Sequence, residues 1–155
     1  MFKFQLNRFL KTSFELFLVI LQFFIIILHF IQLEFLPKKE IMQVNFIFSL
    51  FGFLLIIISS IVMLIAIKDL GSNLSPFPKP IVNGNLITSG IYRFIRHPMY
   101  YSLILISFGF FLTKLSFYHL GLTISLALII KFKIILEEKY LCLLYTSDAA
   151  DEADG

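Results

Sequence analysis

Tryptophan is absent from this chain, cysteine occurs once, and charged side chains make up only 15% of the 155 residues. Each shortage excludes something. With Cys142 alone there is no intramolecular disulfide and no cysteine-based metal site. The three histidines, His29, His97 and His119, are too scattered for metal-ligand spacing. No glycine-rich phosphate loop or dinucleotide fingerprint occurs, so a nucleotide-like ligand would have to bind outside a Rossmann fold. The low charge excludes an ordinary soluble domain, which is about 45–50% apolar and about 25% charged. Here 59% of residues are hydrophobic and the mean hydropathy is +0.92. Such a chain cannot clothe a globule in polar surface, and a bilayer must be its solvent. Twenty Phe fill lipid-facing positions, and without Trp the interfacial anchors must be the six Tyr. Tyr92, Tyr100 and Tyr101 cluster in one segment.

What is present is apolar runs separated by short polar breaks. Residues 14–33 are long enough to cross roughly 30 Å of hydrocarbon at about 1.5 Å per residue. They lack the short core and small-residue cleavage site of a signal peptide. After the turn Pro37-Lys38-Lys39-Glu40, a second span is expected over 44–67. Residues 70–99 then hold four of the five prolines and Gly71, Gly84 and Gly90, a density that argues for a loop. Val82-Asn83-Gly84-Asn85 has turn chemistry, and a loop of this length suggests function. Pro98 suits the first turn of a third helix to about residue 112. Lys114-Leu115-Ser116 marks a turn. A fourth span over 117–130 continues as a more polar helix through Glu137, Glu138 and Lys139. The expectation is an all-α integral membrane protein of about four transmembrane helices, the last two a short hairpin. Residues 1–67 form two N-terminal spans and 68–141 a second unit.

The composition breaks at the end of the chain. From Cys142 onward the string CLLYTSDAADE is what a transposase-type sequencing adapter encodes in one frame, so 142–155 is expected to be a non-native read-through tail. Without its four acids the 13 basic residues face 6 acidic ones, and the net charge moves from +3 to +7. Lys and Arg bias sets orientation. With the N-terminus in the cytoplasm, ten of the 13 basic residues fall on that side. The Pro/Gly loop and Glu137-Glu138 then share one cytoplasmic face. The basic excess fits a membrane surface and does not call for nucleic acid.

Two segments carry chemistry. The first is Leu86-Ile87-Thr88-Ser89-Gly90-Ile91-Tyr92-Arg93-Phe94-Ile95-Arg96-His97-Pro98-Met99-Tyr100. It ends at a helix N-terminus, whose unpaired N–H groups attract anions. Arg96 adds a fixed cation, His97 a donor, and Tyr92 and Tyr100 can pack against a planar base. An interfacial anchor of basic and aromatic residues explains the same string at least as well on physics alone. The second is Glu137-Glu138, whose side chains point about 100° apart on a helix. One can face inward towards an ammonium or sulfonium, or both can sit at a solvated helix end with Lys133 as an i,i+4 partner. His29 lies mid-span. A histidine bonded to a neighbouring helix is the plain reading there, and a quinone or haem site the sharper one. His119 is expected at the interface.

The order of these segments resembles the isoprenylcysteine carboxyl methyltransferase family, which is related to the phospholipid methyltransferases. The resemblance rests on Leu70-Gly71-x-Asn73-Leu74-Ser75-Pro76-x-Pro78, then the box ending Arg96-His97-Pro98-Met99-Tyr100, then a hairpin, then Glu137-Glu138-x-x-Leu141. It covers residues 68–141. It implies an S-adenosylmethionine-dependent methyltransferase acting on a membrane-soluble acceptor such as a prenylcysteine-like carboxylate or a lipid. Carried over by position, cofactor contacts fall at Leu86, Ile87, Tyr92, His97, Pro98, Met99, Tyr100, Glu137 and Glu138, and the acceptor-side basic residue at Lys133. The eukaryotic pattern has Arg at that place, and Lys cannot replace its bidentate fork. Ser102 stands where glycine is usual, and the family's pattern after Leu141 is absent, which puts this chain's own activity in question. A non-catalytic protein of the same fold, binding a lipid or a partner, is the competing reading.

Overall fold

A computed structural model describes residues 2–31, 46–75, 77 and 87–153, with side chains described over 13–31, 46–75, 77 and 87–142. Four α-helices make up the described chain: α1 (Phe2–Phe30), α2 (Phe46–Leu70), α3 (Pro98–Lys114) and α4 (Phe117–Ala153). Two single 3-10 turns, Gly71–Asn73 and Gly90–Arg93, lie between α2 and α3. No strand occurs among the described residues. The expected turns at Pro37 and at residues 82–85, like Leu86, lie outside the described residues.

Three helical stretches are long and apolar enough to cross a membrane: Ser13–Phe30, Phe46–Asn73 and Phe117–Cys142. The 17 residues of α3 reach only about 25 Å, which is short of a hydrocarbon core. α3 is thus the short arm of the hairpin, as its sequence suggests, whereas α4 is long enough to cross, against the expectation that both arms are short. α3 and α4 are joined through Leu115, whose left-handed φ of 43° closes α3 with an N–H bond to the Phe111 carbonyl. α4 continues without a break through residues 142–153.

The helices pack in the order α1, α4, α3, α2. Between α1 and α4 an apolar seam, where Leu18 and Ile25 meet Leu122, Leu126, Ile129 and Ile130, is interrupted by the buried polar residues Glu15, Gln22 and Lys133. Between α2 and α3 it is made of small residues. The buried positions of α2 are Gly52, Ser59 and Ala66, one every seven residues. A Cβ on Gly52 would stand 2.8 Å from the Gly109 carbonyl oxygen, and one on Gly109 would stand 2.5 Å from Ile56. In a bilayer there is no hydrophobic force between helices, so close backbone approach and dispersion hold such a pair. The rest of α2 is apolar and exposed, from Phe46 to Leu64, as a lipid-facing surface should be.

Neighbouring helices run antiparallel. This places the start of α1, the end of α2, the start of α3 and the later part of α4 at one end of the bundle, called here the site end. At the opposite end a second polar cluster joins three helices. His29 Nδ1 faces the Ile25 carbonyl at 3.0 Å and therefore donates, while Nε2 lies 2.7 Å from Ser107 Oγ. Ser107 Oγ is 2.9 Å from Thr123 Oγ1, which lies 2.8 Å from the His119 carbonyl. His29 thus has a bonded neighbour on α3, the plain reading of its position. His119, in the first turn of α4, is buried within the protein at 3% exposure, where the end of α1 packs His29 against it at 5.6 Å between ring centroids.

Candidate functional site

The turn Gly90–Arg93 is set by its first residue. Gly90 has φ +59°, and a Cβ there would fall 2.1 Å from Asp69 Oδ2. Only glycine accepts both the backbone angle and the carboxylate. Asp69, at the end of α2, takes the Ile91 N–H at 2.8 Å and so ties this turn to the α2 terminus. The chain then runs to His97, the N-cap of α3, with Pro98 at the first helical position. Pro costs nothing there, since its missing N–H would have had no helical partner.

This segment separates its residues by face. Arg93, Phe94, Ile95 and Arg96 are exposed, with Phe94 at 82%. They form the interfacial anchor. Tyr92 is half-buried, His97 and Pro98 are buried, and Met99, Tyr100 and Ile87 are half-buried. Arg96, expected to lend the site a cation, points outward with the anchor group.

Opposite His97 stands α4. His97 Nδ1 lies 3.9 Å from Glu137 Oε2 and Nε2 lies 3.7 Å from Glu138 Oε1. Both distances exceed a hydrogen bond. The two carboxylates differ in exposure, 30% for Glu137 and 52% for Glu138, as their helical angle requires. Glu137 accepts a hydrogen bond from the Tyr100 hydroxyl. The rings of His97 and Tyr100 stack at 5.7 Å with 27° between planes. Burial first, then the charges of Glu137 and Asp69, push the Tyr92 hydroxyl up to about 12 from its ordinary value of 10. That ordering places Tyr92 within the field of both acids.

Lys133 lies one turn further in. It is 1% exposed, and its ammonium donates to Gln22 Oε1 at 2.6 Å and stands 5.4 Å over the Tyr100 ring. A solvated helix end does not describe Lys133. Gln22 and the equally buried Glu15, which accepts a hydrogen bond from Tyr140, come from α1. Sequence reasoning missed Glu15, Gln22 and Asp69. The signal was available for the first two: polar residues seven apart in an apolar run mark the face turned to the bundle. Ser102 is 1% exposed, and its hydroxyl has no partner among the described residues.

His97, Pro98, Met99, Tyr100, Glu137, Glu138, Lys133 and Tyr92 are therefore gathered at the site end, with Ile87 just ahead of the Gly90 turn. Leu86 lies outside the described residues. The described residues hold no group of three or more metal-ligating acids, histidines or cysteines. A helix N-terminus, an imidazole and paired carboxylates thus meet at one end of an all-α bundle whose helices are long and apolar enough to cross a membrane. A sequence model of the phospholipid methyltransferase family matches residues 47–148, and the chain belongs to that family, which takes in the isoprenylcysteine carboxyl methyltransferases. No curated protein and no solved structure matches it. α1 lies outside the matched residues, whereas Asp69, the His97 box and Glu137-Glu138 lie within them.

Proposed function

We propose that this protein binds S-adenosylmethionine between the start of α3 and Glu137-Glu138 and transfers its methyl group to a membrane-dissolved acceptor. The observation that carries the proposal is the approach of His97 to both carboxylates, at 3.9 and 3.7 Å, inside the segment that matches a membrane methyltransferase family. The residues suit the cofactor's parts. The N-terminus of α3 and His97 offer donors to a carboxylate. Glu137 offers a half-buried carboxylate to an ammonium, with Glu138 at the more exposed rim. Tyr92 and Tyr100 offer ring faces to a planar base. Ile87, Pro98 and Met99 supply walls, and Leu86 is a contact implied by the family resemblance alone.

When bound, S-adenosylmethionine supplies an electrophilic methyl carbon on a sulfonium, so the protein's work is to hold, align and exclude water. The 3.7–3.9 Å gaps leave His97 and the two carboxylates unlocked from one another, able to turn to a guest. Lys133 lies deeper on the acceptor side. A prenylcysteine-like carboxylate or a lipid headgroup, its tail in the bilayer, would approach from between the helices. The excess of Lys and Arg assigns the site end and the N-terminus to the cytoplasmic face.

The test is transfer of radiolabelled methyl from S-adenosylmethionine into organic-phase products, with the protein supplied either N-acetyl-S-farnesylcysteine or a membrane lipid extract. Label in either product supports the proposal. Label in neither, from folded protein, returns the chain to a non-catalytic lipid- or partner-binding role on the same fold.

A further inference from the structure

The α1 helix lies outside the family match, yet it sends two buried polar side chains to the site end. Glu15 and Gln22 are seven residues apart, two turns of helix, and so share a face. Their partners on α4, Tyr140 and Lys133, are seven apart as well. Tyr118, whose hydroxyl donates to the Leu28 carbonyl at 2.8 Å, adds a third level at the opposite end. α1 is thereby locked in register along α4. The middle level is the one that touches the candidate site. Lys133 donates to Gln22 at 2.6 Å and stands over Tyr100, the residue that bonds Glu137 and stacks on His97.

A lysine stem has four rotatable bonds and fixes nothing by itself. An ammonium that is to meet an acceptor at one place must be held there. Gln22 does so from a neighbouring helix with a neutral oxygen, at 8% exposure, where water does not compete.

We propose that Gln22 is a positioning residue: α1 carries it into the bundle to fix the Lys133 ammonium over Tyr100, and so sets the affinity of the acceptor side of the site. The inference rests on the methyltransferase reading for what is bound, and on the Gln22–Lys133 bond for how.

The test measures two affinities on the full chain in detergent: S-adenosylmethionine by titration calorimetry, and acceptor-type probes by the same means. The probes are N-acetyl-S-farnesylcysteine and, in bicelles, dioleoylphosphatidylethanolamine. Gln22→Leu should weaken the better probe about tenfold while S-adenosylmethionine binding changes less than about twofold, a split that general loosening of the fold would not give. Gln22→Glu, which keeps an oxygen at the same reach, should recover binding to within about threefold of the parent. In a Lys133→Met background, Gln22→Leu should have no further effect, because the coupling runs through Lys133.

Equal loss of both ligands, an undiminished effect in the Lys133→Met background, or probe binding unchanged by Gln22→Leu each overturns the inference. So does a wild-type chain that binds neither probe, whatever it does with S-adenosylmethionine. Should Gln22→Leu fail to fold, the Gln22→Glu and Lys133→Met chains still decide. The inference then requires Lys133→Met to weaken the probe without weakening S-adenosylmethionine. A chain that binds the probe as described but no S-adenosylmethionine refutes the methyltransferase reading and leaves the positioning role standing.

Discussion

Two polar clusters are buried in this bundle, one at each end, and they are built on opposite plans. The cluster of His29, Ser107 and Thr123 is closed, each side chain bonded to another or to a backbone carbonyl. Its linking contacts run from 2.7 to 3.0 Å, and its members are hydroxyls, one imidazole and backbone carbonyls. The cluster at the site end is open. Its imidazole, His97, stands 3.7 and 3.9 Å from the two acids, and only the Lys133 ammonium beside them is tied, to Gln22 at 2.6 Å. A closed cluster spends its polar groups on joining helices. An open one keeps them for a guest, and charge held near the bilayer without being used is costly. The difference is the one the proposed function requires: a fastening at the far end and a binding place at the site end.

The comparison breaks most visibly if the fastening is cut. His29→Leu removes the imidazole that links Ile25 to Ser107 and should lower stability by about 2–3 kcal/mol. Thermal unfolding in detergent would show this, with S-adenosylmethionine affinity of the folded fraction unchanged. A cut at the far end that abolished binding while leaving stability intact would reverse the assignment. Gly90→Ala acts at the site end through the backbone. It forces a Cβ against Asp69 at an unfavourable φ and should cost at least ~1 kcal/mol. Cofactor affinity should fall as well, because the Ile91–Asp69 tie that places Tyr92 and His97 is disturbed.

Tyr100→Phe is gentler. It keeps the ring under Lys133 and the stack on His97 but removes the hydroxyl bonded to Glu137. A loss of about threefold to tenfold in cofactor affinity is expected with little change in unfolding temperature, consistent with a hydrogen bond worth ~1 kcal/mol. The smallest effect is at high pH. The Tyr92 hydroxyl titrates at about 12 in the folded chain against an ordinary 10. Its neutral form is the favoured one, so its contribution to stability is whole below pH 10 and is lost as pH rises from 10 to about 12. In an ultraviolet titration, Tyr92→Phe should remove the component that ionises at about pH 12.

Much of this was legible in the sequence because membrane chemistry is repetitive. Apolar run length gave α1, α2 and α4, and Pro98 marked the start of α3. The His97 box and Glu137-Glu138 were visible as the places where charge and ring side chains stand together in an apolar chain. What was not legible depends on packing between helices. Nothing in the local string says that Arg96 turns outward while its neighbour His97 turns inward. No periodicity shows that the end of α1 covers His119. Spacing on α4 shows that Lys133 and Glu137 are near one another, but not that Gln22, 111 residues away in sequence, accepts a hydrogen bond from the same ammonium. Small residues at 52, 59 and 66 carried the α2–α3 seam in plain view, but only the facing Gly109 gives that stripe its meaning.

The most direct test is calorimetric titration of S-adenosylmethionine into the folded chain in detergent, beside His97→Ala, Glu137→Ala and Ser107→Ala. Binding should be measurable in the parent, weakened at least about tenfold by each of the first two changes, a loss of ~1.4 kcal/mol or more, and preserved in Ser107→Ala. No binding to the folded parent, or binding indifferent to His97 and Glu137, would contradict the assignment of the site.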